Sequence, residues 1–203
     1  MKYVFNLLLL FSIIFVGFVT CRSAQISLPE GVPVVTRQEW GAAAPVLPMK
    51  KHVPTRITIH HTATQQLQKP LKEQLKALQR FSQERSPLAD GRMKEPWADI
   101  PYHFYIAADG TIGEGREVQY AGDSNTPYDP TGHLLIVLEG NFQTEEVTPT
   151  QFQSLVQLTK AVARQYHISP DQISGHKDNA TTACPGENLY VLLPKLQQLV
   201  AEK

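Results

Sequence analysis

An imidazole and a thiol lie eight positions apart near the C-terminus, at His176 and Cys184. The Gly, Asn and Pro residues of segment 174–186 predict a loop rather than a helix or a strand. Zinc binds histidine nitrogen and cysteine sulfur together, and a catalytic zinc keeps only three protein ligands so that water can take the fourth position. The pair therefore predicts part of a zinc site, or else two unrelated residues of one loop.

The best candidates for a third ligand lie far upstream, at His60 and His61. They end the β-branched run 56–61, which predicts a buried strand whose last residues emerge at the edge of a sheet. Successive side chains of a strand point to opposite faces. One of the two histidines is therefore predicted to be the ligand, and the other is a neighbour or a core residue.

Composition indicates one globular domain. The chain has 203 residues, of which 42% are hydrophobic. This is enough for a sizeable core, but the chain is short for two domains of ordinary size. Nineteen basic residues balance nineteen acidic ones, and no basic stripe interrupts this balance. We therefore expect no nucleic-acid partner. We also expect a monomer.

Residues 1–21 are predicted to be an export signal. Lys2 precedes an apolar run from residue 4 to residue 19, which is shorter than the roughly 20 apolar residues of a stable spanning helix. Cys21 follows where a bacterial lipoprotein carries its acylated cysteine, although residues 18–20 are not the usual small ones. We expect a periplasmic lipoprotein attached to the membrane through Cys21, with plain secretion or an uncleaved anchor as alternatives.

Residues 22–34 are predicted to form a tether, and residues 35–203 the domain itself. If Cys21 is lipidated, Cys184 is a lone thiol in an oxidising compartment, and metal ligation is one reason to keep it there. A disulfide between the two cysteines is the less favoured alternative, because it would protect little structure.

The predicted helices and strands alternate along the domain, which favours an α/β layer around one sheet. Thr36 and Glu39 form a capping-box pattern, and Thr148 with Gln151 forms another. The remaining predictions are a helix over 70–84, an exposed loop over 85–96, a hairpin that turns at Asp109-Gly110, a strand over 134–138, a helix from residue 148 and a helix over 189–200 broken or restarted at Pro194. In the hairpin, one face is predicted to carry Tyr102, Phe104 and Ile106, and the other His103 and Tyr105.

These elements resemble a known family, the zinc N-acetylmuramoyl-L-alanine amidases, which include phage lysozyme-type amidases and peptidoglycan recognition proteins. The resemblance depends on the order and spacing of short motifs across the domain: 36–41 (TRQEWG), 59–63 (IHHTA), 97–104 (WADIPYHF), 109–110 (DG), 121–122 (AG), 139–142 (EGNF), 175–178 (GHKD) and 184–186 (CPG). It implies an α/β fold with a single central mixed β-sheet flanked by α-helices.

The resemblance also implies roles for individual residues. It places Zn²⁺ on His60, His176 and Cys184, and Tyr102 beside the zinc-bound water. Thr182 falls where relatives carry a lysine or a threonine that contacts the carbonyl oxygen of the scissile bond. The implied reaction is hydrolysis of the amide between N-acetylmuramic acid and L-alanine, and the general base is left open.

Two further residues are implied as substrate-binding, His61 and Trp97, although His61 could instead pack beneath the cleft. A branch of the superfamily that acts on anhydro-muropeptides uses a Glu on the central strand, at the position that Val137 occupies here. Glu139 lies two residues further along the same strand, so it is a minor candidate only. Tyr120 stands where a His is common, and segment 85–96 is enlarged. The choice between intact peptidoglycan and soluble or anhydro-muropeptides therefore stays open.

Two other functions remain as alternatives. One is a non-catalytic peptidoglycan-binding module of the same fold, although such modules typically lack the ligand cysteine that this chain has at position 184. The other is a zinc hydrolase that acts on a different amide, for which the sequence offers no motif.

Overall fold

The computed structural model describes residues 28–67, 69–88 and 91–202. The predicted export signal with Cys21, and the first part of the predicted tether, lie outside the described residues. Within those ranges, no helix is long and apolar enough to cross a membrane.

A five-stranded sheet forms the centre of the domain, in the order β5-β4-β6-β1-β7. The central strand β6 runs parallel to β1 and β4, and β1 runs parallel to β7, whereas β5 pairs antiparallel with β4. The prediction of a single mixed sheet is therefore confirmed. Its strands are β1 (Arg56–His61), β4 (Phe104–Ile106), β5 (Ile112–Glu114), β6 (His133–Leu138) and β7 (Ile173–Gly175).

Helices cover both faces of the sheet, as the predicted fold class requires. Helices α3 (Pro149–Gln165) and α5 (Leu193–Ala201) pack on one face, where they bury Ile57, Ile59 and alternate residues of β6. Helices α1 (Arg37–Trp40) and α2 (Leu71–Gln83) pack on the other, where Trp40 and Leu75 contact the side of the sheet that carries Val137. We call these the α3 face and the α2 face.

The local sequence explains where the helices begin and end. Capping boxes at Thr36 and Thr148 start α1 and α3 as predicted, because each threonine hydroxyl accepts an N–H that has no partner within the helix. The C-terminal segment forms two helices, α4 (Glu187–Tyr190) and α5, and Pro194 lies in the first turn of α5. A fresh start near Pro194 is therefore confirmed, because proline suits a first helical turn.

Segment 85–96 is not a simple exposed loop, so that prediction was wrong in part. Strands β2 (Ser86–Pro87) and β3 (Met93–Lys94) pair antiparallel within it. Lys94 is only 2% exposed, and its ammonium donates to the carbonyls of Ser82, Glu84 and Glu95 at 2.8 to 3.0 Å. These backbone carbonyls stabilise the buried ammonium of Lys94, which the sequence pattern alone would place in solvent.

The predicted faces of the hairpin also need correction. Tyr102 packs with Tyr105 on the α2 face, while Phe104 and Ile106 lie on the α3 face. Strand β4 begins only at Phe104. Residues 102 and 103 precede the regular strand, so the alternation of side chains does not extend to Tyr102.

Candidate metal centre

The pairing of two parallel strands brings two of the predicted ligands together. Ile59 of β1 lies opposite Gly175 of β7, and the next residues in the two chains are His60 and His176. The imidazole rings lie with their centroids 4.6 Å apart. Both histidines are buried. The site therefore forms near the carboxyl ends of adjacent strands, where open α/β sheets commonly bind ligands.

Cys184 completes a cluster of three donors. One ligand atom from each of His60, His176 and Cys184 lies within 4.8 Å of the others. The Cys184 Sγ lies 3.6 Å from His60 Nδ1. A tetrahedral zinc with a Zn–S bond of about 2.3 Å and a Zn–N bond of about 2.0 Å holds those two atoms about 3.6 Å apart. The residues present therefore fit a zinc ion.

Backbone contacts hold the cysteine in place. The Lys177 N–H donates to the Cys184 carbonyl at 2.8 Å, which closes the segment between His176 and the cysteine. The His61 N–H lies 3.5 Å from the Cys184 Sγ and points a donor at the sulfur. A donor aimed at sulfur favours its charged, metal-binding form.

Burial sets the protonation of all three groups. It lowers the pKa of His60 well below its ordinary value of 6.5 and that of His176 to about 4, so both imidazoles are neutral near pH 7. Burial raises the pKa of the Cys184 thiol to about 12. Metal ligands must be deprotonated, so metal binding at this site is expected to release the thiol proton.

The ring nitrogens of the two histidines have different surroundings. His176 Nε2 lies 2.7 Å from Thr126 Oγ1, which leaves Nδ1 as the nitrogen available to a metal. His60 Nε2 is buried without a hydrogen-bond partner among the described residues, while Nδ1 faces the sulfur. In each ring, Nδ1 is therefore the candidate ligand atom.

Tyr102 and Thr182 both lie next to the cluster. The Tyr102 ring centroid is 5.2 Å from that of His60, and burial raises the pKa of its phenol, which stays protonated as a donor. Thr182 is partly exposed, and its Oγ1 accepts the Cys184 N–H at 3.2 Å. That bond does not use the hydroxyl hydrogen of Thr182, so the hydroxyl can still donate to a ligand.

His61 packs beneath the site rather than in it, one of the two positions that the sequence left open. It is 6% exposed, and its Nδ1 accepts the Phe142 N–H at 3.2 Å. The alternation along β1 turns it toward the α3 face, away from His60. This orientation does not support the predicted substrate-binding role of the His61 side chain.

Trp97 contacts the segment around Lys94. Its backbone N–H donates to the Ser82 carbonyl at 2.9 Å, and its ring centroid lies 4.7 Å from the Lys94 ammonium. It lines a cavity of about 320 Å³ to which none of the three donor residues contributes. The structure therefore associates Trp97 with segment 85–96 rather than with the metal centre.

The Glu139 carboxylate is bound by backbone N–H groups. Its side chain is buried, with one carboxylate oxygen accepting the Leu67 N–H at 2.5 Å and the other accepting the Ala108 N–H at 2.9 Å. The carboxylate thus joins the segment after β1 to the turn after β4, and both of its oxygens are engaged.

Sequence reasoning missed Thr126 and Tyr128. Thr126 contacts His176 through the hydrogen bond described above, and the Tyr128 ring lies with its centroid 5.1 Å from that of His176. Segment 122–130 looks like an ordinary polar loop, so no periodic pattern could have indicated this contact. Pro127, which restricts the backbone of Thr126, was the one available signal.

The mixed sheet, its flanking helices and the clustered His and Cys side chains define an amidase and peptidoglycan recognition protein fold. A sequence model described as N-acetylmuramoyl-L-alanine amidase matches residues 50–187, and the chain belongs to this family.

Three relatives illustrate the family. Peptidoglycan-recognition protein SD of Drosophila simulans is 27% identical over 184 residues, covering 88% of this chain and 93% of its own. The endolysin amidase LysCS of Clostridium intestinale URNW matches with a TM-score of 0.61 and 31% identity, over 84% of this chain and 97% of its own. Peptidoglycan recognition protein-LE, solved with tracheal cytotoxin, matches with a TM-score of 0.66 and 27% identity, over 80% of this chain and 92% of its own.

Proposed function

We propose that this protein is a zinc-dependent amidase that hydrolyses the amide bond between N-acetylmuramic acid and L-alanine in peptidoglycan or muropeptides. The observation that carries the proposal is the convergence of His60, His176 and Cys184 within 4.8 Å. When bound by three such ligands, zinc activates water and polarises the carbonyl that the water attacks.

The protein's own residues position the reacting groups and supply donors. The neutral imidazoles of His60 and His176 and the Cys184 sulfur would hold the ion, beside Tyr102. The Tyr102 phenol and the Thr182 hydroxyl are donors for the oxygen that becomes negatively charged as the amide is attacked; one such donor typically lowers the barrier by about 3 kcal/mol. The departing amine of L-alanine needs a proton, which Tyr102 or water would deliver; burial raises the pKa of the Tyr102 phenol, so the phenol carries its proton when the amide is attacked.

The second candidate function is recognition of peptidoglycan without cleavage. Several relatives are recognition proteins, and one of them was solved with a monomeric diaminopimelic acid-type peptidoglycan. Cys184 favours the enzyme over this alternative. A binding module needs no thiol at that point, whereas a zinc ion held by His60 and His176 needs a third protein ligand, and Cys184 supplies it.

The test incubates the purified protein with peptidoglycan and analyses the products for stem peptides with a free N-terminal L-alanine and for peptide-free glycan. We expect both products, together with about one zinc per chain. We expect chelation or Cys184→Ala to abolish the formation of both products. Binding to peptidoglycan without these products would support recognition instead. Cleavage that persists in Cys184→Ala would exclude the zinc mechanism.

We also propose that the protein is exported and anchored by a lipid on Cys21. The support is the charged start, the short apolar run and the cysteine directly after it. Labelling of cells with palmitate should mark the wild-type protein and leave Cys21→Ala unlabelled. Equal labelling of the two would exclude acylation at this residue.

A further inference from the structure

A short chain of hydroxyl groups connects His176 to the loop before β6. Thr126 Oγ1 lies 2.7 Å from His176 Nε2, and Ser124 Oγ lies 2.7 Å from Thr126 Oγ1. The Thr126 N–H also donates to Ser124 Oγ at 3.1 Å. Each hydroxyl thus has a defined neighbour, and the imidazole is the end point of the chain.

The backbone holds this threonine in a restricted conformation. Thr126 precedes Pro127, and a residue before proline is largely confined to extended conformations. The Tyr128 N–H donates to the Thr126 carbonyl at 2.8 Å, which forms a γ-turn centred on Pro127. The turn brings the Tyr128 ring to 5.1 Å from the His176 ring, measured between centroids. The loop therefore contacts the imidazole by a hydrogen bond and by a ring.

We propose that Thr126, supported by Ser124, is a positioning residue that sets the tautomer and the orientation of His176 for metal binding. The inference rests on the proposed zinc site. It assigns Thr126 Oγ1 as the acceptor of the Nε2–H, which leaves the lone pair on Nδ1 toward Cys184 and His60. The Thr126 hydroxyl then donates to Ser124 Oγ.

The physical reason is that a histidine ligand binds a metal less tightly when its second ring nitrogen has lost its hydrogen-bond acceptor. A metal-bound histidine normally donates its other N–H to an acceptor, and loss of that acceptor typically lowers metal affinity about 10- to 100-fold. His60 shows the contrast, because its Nε2 has no such partner among the described residues. Of the two imidazoles, His176 is therefore the one whose Nε2 has a hydrogen-bond partner among the described residues.

The test compares Thr126→Val with the wild type and with Thr126→Ser. Valine keeps the branched shape and removes the hydroxyl, so the zinc dissociation constant, measured by competition with a chromophoric chelator, should rise about 10- to 100-fold. Serine restores the hydroxyl and should return the affinity close to that of the wild type. In the cobalt-substituted protein, Thr126→Val should shift the visible absorption bands, whereas Thr126→Ser should not.

A matched control is available at a second threonine–histidine pair. Thr58 Oγ1 lies 2.8 Å from His133 Nδ1, both residues are buried, and neither is a candidate ligand. Thr58→Val should lower the stability of the protein while leaving the zinc dissociation constant and the cobalt spectrum unchanged. A loss of zinc affinity in Thr126→Val that Thr58→Val matches would show a general packing effect and overturn the proposal.

If the wild-type protein binds zinc and cleaves peptidoglycan but Thr126→Val binds zinc as tightly as the wild type, Thr126 has no positioning role. If the wild-type protein binds no zinc, both proposals fall together.

Discussion

Gly175 of β7 lies directly opposite Ile59 of β1, and this pairing sets the separation of the two histidines that follow. The absence of a side chain at Gly175 also lets the turn that carries the cysteine approach the strand. A Cβ at this position would lie 3.0 Å from Pro185 Cδ and 3.0 Å from the Tyr190 ring. One glycine therefore affects the placement of all three candidate ligands.

Gly175→Ala should weaken zinc binding through this contact. The added methyl group must displace Pro185, the neighbour of Cys184, or the Tyr190 ring. Overpacking of this kind typically costs about 1 to 3 kcal/mol of stability. Urea unfolding of the metal-free protein and zinc titration of the folded protein would measure the two effects. An unchanged zinc affinity would mean that the turn accommodates the methyl group without moving the thiol.

Tyr102→Phe should retain zinc and lose most of its turnover. The ring packing against His60 survives the change, whereas the phenol that can donate to the oxyanion is lost. We expect kcat to fall about 100-fold, with the zinc content unchanged by elemental analysis. A turnover rate close to that of the wild type would remove this hydroxyl from the mechanism.

Glu139→Gln should destabilise the protein without affecting catalysis directly. The amide retains only one acceptor oxygen for the Leu67 and Ala108 N–H groups that the carboxylate now accepts. A buried donor left without an acceptor costs about 1 to 3 kcal/mol, which urea unfolding can measure. Zinc affinity and kcat of the folded variant should stay near those of the wild type, and a selective loss of kcat would instead indicate a catalytic carboxylate.

The metal-free protein should lose stability as the pH falls below about 6.5. Burial lowers the pKa of His103 to about 3, so the unfolded chain takes up a proton in a pH range where the folded protein does not. The stabilising effect is complete above the ordinary pKa of 6.5 and is lost progressively toward pH 3. The expected slope is at most about 1.4 kcal/mol per pH unit for this residue.

Urea unfolding of the metal-free protein at about pH 7 and about pH 5 would test this dependence. His103 Nδ1 accepts the Leu135 N–H, and Nε2 contacts the Tyr120 carbonyl. A glutamine side chain can offer one acceptor and one donor but does not titrate, so His103→Gln should reduce the slope, while the part of the dependence that comes from His60 and His176, whose pKa values burial also lowers, remains. His167→Asn, at an exposed position, serves as the control and should retain it. An equal slope in His103→Gln and in the wild type would contradict the prediction.

Much of the fold could be predicted from local sequence, because the signals are local in origin. The capping boxes at Thr36 and Thr148, the β-branched run that became β1 and the Asp109-Gly110 turn each depend on a few neighbouring residues. The burial of Lys94 escaped prediction because its three carbonyl partners come from a fold-dependent arrangement of the backbone. The face of Tyr102 escaped it because β4 starts two residues later than the pattern indicated.

The sequence by itself determined which residue types were available to bind a metal: a cysteine and a histidine in one loop and a histidine pair at the end of a strand. Strand alternation left His60 and His61 as alternatives, and the family resemblance pointed to His60. Only the tertiary structure showed His60 beside the other two donors and Thr126 in contact with His176. The physical reason is the range of the interactions. Side-chain type and local conformation are encoded residue by residue, whereas the strand pairing that brings position 60 beside position 176 forms only when the whole sheet assembles.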